Sequence, residues 1–506
     1  MNAISTPDRC TGTSSHSEWG LPVTADSQRA QPIRAHRLAI MACCLVLGGH
    51  AYAALGADAA TAQDRSGGVP DPHARPAFAN TVLRVEGMQF VDARRPAEQS
   101  GLLDFTTHAR WQSHPDWEVQ VGLNVFAEIQ RDSERSIWET TGDLDESFVR
   151  YRSPMHTVTL GTQRVRWGQM DYRPPTNRLA AYDQVRFPFS DRGEQLPVPA
   201  LRWEYFGQAI DTEWLWLPSF RASRLPDPDN PWYPVDRQRG LIAGIDLDPN
   251  FAPWLAVATI EDKAPSGPGG AGLRLRGTSG RVDYALTAQH GRRSLPYYEL
   301  DPDLARRLRS GLATAGQTFD GPIELGSDAI PPYVQDLVVV RTRYPFATSL
   351  GGDLAWQWGN TVWRAEAAWV SDAPVTTPML QFTTVAAFEW AVALETFPFG
   401  SETRLSLQFS GDHLLDAGPI LDPAHSYTLT GSLERYSNRH RWRTRLRYLL
   451  GYDPRQGYLN PQIAYLAHDS QEFFAELHWF GGASETPIGY FRNHDLILVG
   501  WRKQYN

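Results

Sequence analysis

Residues 440–451 read His-Arg-Trp-Arg-Thr-Arg-Leu-Arg-Tyr-Leu-Leu-Gly, with Arg441, Arg443, Arg445 and Arg447 on one parity and Trp442, Thr444, Leu446, Tyr448 and Leu450 on the other. A helix, turning about 100° per residue, would scatter both sets around its axis. A strand sends alternate residues to opposite faces, so this segment has one cationic face and one face of apolar and interfacial side chains. Two arrangements satisfy such a strand. A soluble sandwich turns the apolar face into a shared core, whereas a transmembrane barrel turns it outward to lipid and keeps charge facing a wet lumen.

The same period recurs along the chain. Leu103, Phe105, Thr107, Ala109 and Trp111 alternate with polar residues up to the turn Ser113-His114-Pro115-Asp116, after which Trp117, Val119, Val121, Leu123, Val125, Ala127 and Ile129 resume the pattern. This predicts a hairpin of two long strands. Leu405, Leu407 and Phe409 oppose Arg404, Ser406 and Gln408, while Trp363, Ala365, Ala367 and Trp369 oppose Arg364 and Glu366. Short connections are expected near Ser153-Pro154, Gly207-Gln208, Asp248–Ala252, Ser279-Gly280, Gly359-Asn360, Phe397–Glu402, Ser437–Arg439 and Asp469-Ser470. Longer ones are expected near 131–142, 166–199, 219–238, 262–270, 291–334, 372–380, 412–424, 452–460 and 481–493.

Tight and long connections in alternation suit an all-β, single antiparallel transmembrane barrel with short periplasmic turns and long extracellular loops. About twenty strands are counted between Thr81 and Tyr505, and 18 is also compatible; residues 335–358 read as one bent strand or two. Trp117, Trp214, Trp216, Trp254, Trp356, Trp358, Trp479 and Trp501 lie near run ends, where they could form aromatic girdles.

The N-terminal region carries an export signature. Arg29, Arg34, His36 and Arg37 precede an apolar segment from Leu38 to Gly48, which ends in Ala51-Tyr52-Ala53. This predicts a signal peptide over 1–53, a disordered periplasmic lead-in over 54–79, and a barrel over 80–506. Cys10, Cys43 and Cys44 all precede the expected cleavage point. The mature chain therefore relies on neither disulfides nor a thiolate metal site. Cys43 sits near the start of the apolar segment rather than at its end, which disfavours a lipoprotein. No apolar run reaches the ~20 residues of a spanning helix. The net charge of −9 disfavours a nucleic-acid partner.

The charged parity supplies the functional candidates. Arg441, Arg443, Arg445 and Arg447 form a ladder; Arg164 with Arg166, Arg274 with Arg276, and Arg364 with Glu366 are further same-parity pairs expected to face the lumen. Arg150 with Arg152 and Arg341 with Arg343 share the pattern. Guanidinium stays charged at physiological pH and grips carboxylate or phosphate through a planar fork. An arginine-lined lumen would favour anions. The competing reading pairs these arginines with Glu118, Glu128, Glu146, Glu204, Glu366, Glu434, Glu472 and Glu476 to hold a packed interior. Leu304, Leu308 and Leu312 have helical spacing within Pro302–Ala315, so loop 291–334 is expected to contain a short helix; loop 166–199 is a second candidate constriction. No H-E-x-x-H, G-x-S-x-G or P-loop motif occurs, and neither an enzyme nor a cofactor is expected.

The stretch Gly161-Thr162-Gln163-Arg164-Val165-Arg166-Trp167-Gly168, running into Asp171-Tyr172-Arg173-Pro174-Pro175-Thr176-Asn177, is the most distinctive in the chain. Together with Pro199–Arg202, Trp216-Leu217-Pro218, Arg224-Leu225-Pro226, Trp363–Glu366 and Gly489–Asp495, it resembles a poorly characterised family of Gram-negative outer-membrane porins related to the alginate-export β-barrels. The likeness covers most of residues 155–505. It implies a large outer-membrane barrel for an envelope transport route and fixes no substrate. The ending Tyr505-Asn506 departs from the terminal aromatic usual in such barrels.

The resulting expectation is an outer-membrane porin-like channel passing small, anionic organic solutes by diffusion, with outer-membrane lipid, a small-molecule solute and, during insertion, the barrel-assembly machinery as partners. One alternative is a substrate-specific channel for hydrophobic compounds or an exported polymer, with a plugged lumen. A second is a secreted soluble β-rich binding protein.

Overall fold

The computed structural model describes residues 77–92, 97–131, 136–185, 195–247, 252–302, 339–378, 381–468 and 470–505. The expected signal segment, nearly all of the lead-in, and all but the first residue of the helix expected over Pro302–Ala315 lie outside these. The first strand begins at Ala77, a little before the expected barrel start.

The wall strands are β1 (Ala77–Phe90), β2 (Gln99–His114), β3 (Trp117–Arg131), β4 (Ser136–Leu144), β5 (Ser147–Arg152) and β6 (His156–Gln163). They continue as β7 (Val198–Tyr205), β8 (Asp211–Leu217), β9 (Gly270–Ser279), β10 (Val282–Arg292), β11 (Phe346–Trp358) and β12 (Thr361–Thr376). The last are β13 (Phe382–Thr396), β14 (Thr403–Leu414), β15 (His425–Ser437), β16 (Trp442–Asp453), β17 (Gln456–Ala467), β18 (Gln471–Gly482) and β19 (Leu496–Tyr505). Wall neighbours pair antiparallel, and β19 returns to β1, with Thr81 opposite Tyr505 and Phe90 opposite Leu496. β4 pairs with the far part of β3 and β5 with its near part, so the two share one position and the wall is a closed 18-strand barrel.

Side-chain parity sorts as the sequence predicts. Leu160, Leu286 and Trp479 are 60%, 63% and 61% exposed on the outer face, whereas inward Glu476 is 3% exposed. An apolar outside and a polar inside is the membrane-barrel arrangement. Trp117, Trp214, Trp216, Trp356 and Trp358 are also exposed. Trp254 departs from the expected girdle: it lies in the helix α1 (Ala252–Val257) and packs on a cluster built from loop residues.

The count is 18 rather than about twenty because the described residues 235–247 and 252–261 pair with no wall strand. Most of the turn expected at Asp248–Ala252 lies outside the described residues; on either side of it Val235, Ile242, Ile245, Leu247, Leu255 and Ala258 bury with Tyr298, Leu300 and Val340. A short apolar run satisfies either a wall or a core, and periodicity alone does not separate them. Within 335–358 the described residues form a short strand of a separate three-stranded sheet, Val339–Arg343, and wall strand β11. Two expected loops are strand. Polar residues 136–144 pair with β3, and the expected loop 452–460 shrinks to a turn at Pro454-Arg455. Pro461 sits inside β17 at a gap in the β17–β18 ladder, between the pairs Leu459↔Trp479 and Gln462↔Glu476. A proline cannot donate there. The neighbouring Asn460 side chain instead donates to the Leu477 carbonyl at 2.8 Å.

Leu446 sits near the middle of β16 on the outward parity, and Tyr452 near its end is 76% exposed. Leu446→Arg should lower the stability of the lipid-reconstituted barrel by about 2–4 kcal/mol, and Tyr452→Arg by only about 0–1 kcal/mol, because the cost of a lipid-facing cation depends on depth. Urea unfolding in vesicles measures both; equal costs would contradict the assignment.

Candidate pore constriction

β6 ends at Gln163, and the chain then turns into the barrel instead of continuing upward. The distinctive motif found in the sequence is this inward passage. Trp167 donates Nε1–H to Glu213 of β8 at 2.8 Å. Gly168 has φ +83°, and a Cβ there would lie 2.5 Å from Glu366 Oε1, so glycine is required both by conformation and by space. Glu366, projecting inward from β12, accepts from the Gln169 main chain at 3.0 Å, the Thr176 main chain at 2.7 Å and the Thr176 hydroxyl at 2.7 Å. Gln169 donates to Asp353 of β11 at 2.8 Å. Gln408 of β14 clamps both main-chain groups of Tyr172, accepting its N–H at 3.2 Å and donating to its carbonyl at 2.6 Å. Gln289 of β10 accepts the Arg178 N–H at 3.1 Å and donates to the Thr176 carbonyl. Residues 164–178 are thus pinned across the inner faces of β8, β10, β11, β12 and β14.

Arg173 stands at the turn of this passage with φ +43°, a conformation uncommon for a side-chain-bearing residue and set here between the Gln408 clamp and Pro174-Pro175. Arg173 is solvent-exposed, with Tyr172, Asp412 and Glu389 near its guanidinium. Burial works against its charge, but Asp412 and then Glu389 outweigh that and hold its pKa above the ordinary guanidinium value. Arg178 pairs with Glu389. Arg293, entering from the loop after β10, is depressed to about 10 by burial and by the neighbouring Arg178. Three guanidinium groups therefore share this region with the carboxylates of Asp412, Glu389 and Asp422. Nothing in strand parity marked this group, because Arg173, Arg178 and Arg293 all stand on loops.

The opposite side of the lumen is filled. Trp232, Ile488, Tyr490 and Phe491 pack on the inward faces of Phe90, Phe126, Phe480, Leu496 and Leu498. Tyr172 from the constriction also packs on this cluster. His494 ties the loop after β18 to the loop after β8 through a 2.9 Å hydrogen bond from Nε2 to the Pro231 carbonyl. Burial depresses its pKa to about 4, so it is neutral at pH 7.

The ten sequence candidates divide. Arg443 and Arg447 lie on the same face of β16 and are paired, Arg443 with Glu472 and Arg447 with Glu476 at 3.1 Å. Arg445 shares their parity. Arg441 precedes the strand and is exposed at a turn, so the ladder begins at Arg443. Arg274 pairs with Asp353 at 2.8 Å, Arg276 lies 3.9 Å from Asp211, and Arg364 pairs with Glu395 at 2.8 Å. Arg164 and Arg166 belong to the inward passage rather than to a wall strand: Arg164 meets Asp145 at 2.5 Å, and Arg166 is exposed. Arg341 and Arg343 stand on the short strand Val339–Arg343 outside the wall sheet, paired with Asp301 and Glu299. Of the expected acidic partners, Glu118 takes Arg110, Arg150 and Arg152. Glu128 instead accepts from Ser100 and Gln130, and Glu366 holds the passage.

No protein-family model matches the chain, and no curated protein does. Among solved structures, OccAB1 of Acinetobacter baumannii is 7% identical over 85% of this chain and 96% of its own, with a TM-score of 0.47. OccK7 (OpdD) of Pseudomonas aeruginosa is 9% identical over 84% and 98%, with a TM-score of 0.43. OmpF of Salmonella typhi, solved with daunomycin, is 9% identical over 85% and 96%, with a TM-score of 0.39.

Glu366→Ala should strand two buried main-chain N–H groups at a cost of about 1–3 kcal/mol each. Its measurable result is a segment 164–178 newly open to protease in a barrel that stays closed; unchanged protection would mean that Glu366 does not hold the passage. For His494, a folded-state pKa of about 4 against an unfolded value of about 6.5 means that the unfolded chain binds more protons between these values. Stability is therefore present above pH ~6.5 and is lost as pH falls towards ~4, by up to roughly 3 kcal/mol. His494→Phe should flatten that part of the pH dependence of the urea midpoint.

Proposed function

We propose that this chain is an outer-membrane, porin-like channel whose solutes pass the constriction at Arg173. One observation carries the reading: within a closed wall that is apolar outside, a segment is pinned across the lumen and presents the solvent-exposed guanidinium of Arg173. Arg178 is paired with Glu389, whereas Arg173 keeps an exposed guanidinium in the passage, which favours small anionic solutes. Much of the charge of Arg443 and Arg447 is met by Glu472 and Glu476, so the ladder acts as a paired lining and the loop arginines set selectivity. The outer apolar band argues against a secreted soluble protein, which would not expose such a surface. Export through the 1–53 signal, insertion by the barrel-assembly machinery and kinship with the alginate-export barrels belong to the same proposal.

A second reading is favoured by the cluster around Trp232: a substrate-specific channel, closed at rest, for hydrophobic compounds or an exported polymer. Bilayer recording separates the two, since a diffusion channel conducts steadily and a closed one conducts little. Under a salt gradient the conducting protein should show an anion-biased reversal potential. Arg173→Glu should shift it towards cations, and a cation-selective parent, or a variant with unchanged potential, would contradict the assignment.

A further inference from the structure

A second concentration of charge stands at the short-turn end of the barrel, apart from the constriction. β2 gives way to β3 between His114 and Trp117, and β5 to β6 between Arg152 and His156. Just inside these two turns, Arg110, Glu118, Arg150 and Arg152 come together on three strands, with Glu118 directly opposite Arg150 in the β3–β5 ladder. The parity of the wall puts this group inside. Trp117 and Val119, the neighbours of Glu118 along β3, are 49% and 37% exposed on the outer face, while Glu118 itself is buried.

Glu118 is one carboxylate facing three guanidinium groups. Arg110 lies 3.1 Å from it, Arg150 3.3 Å and Arg152 2.7 Å. Arg150 is fixed from two more sides: its Nε donates to the Thr159 hydroxyl at 3.1 Å, and its guanidinium lies over the Phe148 ring, 4.2 Å from the centroid. Arg110 also donates to Gln120 at 3.1 Å. Even so, the Arg110 and Arg152 side chains stay 45% and 47% exposed, and among the described residues neither has a second acidic partner. Other carboxylates nearby are engaged elsewhere. Asp116 of the adjacent turn faces His114, Glu204 takes Arg202 at 3.1 Å and Arg276 at 4.0 Å, and Glu213 takes Arg202 at 2.8 Å.

Three positive charges against one negative leave an excess of two at a point where two guanidinium groups meet water. Each guanidinium has five N–H donors in a rigid fork suited to oxyanions, and Glu118 occupies only part of them. A monovalent anion would leave half of the excess charge uncompensated; a divalent one matches it. We infer that Arg110, Arg150 and Arg152 form a binding site for divalent oxyanions, namely phosphate and phosphate monoesters, at the short-turn end of the lumen. Glu118 is its built-in counter-ion: it holds the three guanidinium groups together when the site is empty, and it competes with the bound anion so that the anion leaves again. Capture weak enough for release is what a conducting path requires. The inference rests on the membrane-barrel reading but not on the selectivity of Arg173.

The test is equilibrium dialysis of radiolabelled inorganic phosphate against the full chain in zwitterionic nanodiscs, in an Arg173→Gln background that removes the constriction guanidinium from the measurement. Saturable binding should persist there. Arg110→Gln and Arg152→Gln, made singly, should each weaken it about tenfold or more, as expected for the loss of one charged hydrogen-bonding group. Glu118→Gln should tighten it several-fold, because a neutral amide no longer competes; should that chain fail to insert, the two variants at exposed arginines decide the matter. Arg404→Gln, whose side chain pairs with Glu395 on β13, should leave binding unchanged. Sulfate should displace the label, and acetate at the same concentration should not. Absence of saturable binding, indifference to both arginine changes, or an equal loss in Arg404→Gln would overturn the site. Binding is read without current, so a chain that binds phosphate in this way and conducts nothing supports the site and counts against the diffusion-channel reading alone.

Discussion

Closure of the main-chain hydrogen-bond ladder governs everything else in this structure. In hydrocarbon an unpaired N–H or C=O costs several kcal/mol, and only a sheet that returns to its first strand leaves no edge. The pairing of β19 with β1 meets this requirement. Once the wall is closed, parity settles the rest: one set of side chains must meet lipid and the other must satisfy itself inside. The acidic and basic residues of the inner face accordingly meet one another across strands, as Arg447 does Glu476 and Arg274 does Asp353.

The interior follows from where the wall is short. Because β6, β7 and β8 stop early, the segments leaving them fold inward rather than outward, and each is held by inward wall groups that would otherwise be unpaired. Glu366, Gln289 and Gln408 hold one segment, and the aromatic cluster around Trp232 holds the other. The lumen is therefore divided into a polar side carrying Arg173 and an apolar side packed like a core.

Parity was legible in the sequence wherever strands are long, and Arg274, Arg364, Arg443 and Arg447 lie on the wall strands β9, β12 and β16. What alternation could not separate were segments whose apolar residues bury against other loops. The run around Val235–Leu247 has strand-like spacing because a core formed among the loops makes the same demand as lipid outside the wall. Polar strand β4 was hidden for the opposite reason: both its faces are accessible, so no alternation marks it. Pro461 reads as a strand breaker, yet it occupies a ladder gap bridged by Asn460. The constriction was signalled only by the density of the Gly161–Asn177 motif. Its glycine and prolines reflect a loop threaded close to the wall, and the partners that fix it, Glu366 and Gln408, are more than two hundred residues away from it or nearly so, beyond any local pattern.

The most direct test is a nitroxide scan through residues 445–450 of β16 in lipid vesicles, comparing accessibility to oxygen, which concentrates in the bilayer, with that to a water-soluble relaxant. Labels at 446, 448 and 450 should favour oxygen, while those at 445, 447 and 449 should be shielded from it. Strong oxygen accessibility at 445 and 447, or a loss of the two-residue period, would contradict a barrel that faces lipid with its apolar parity.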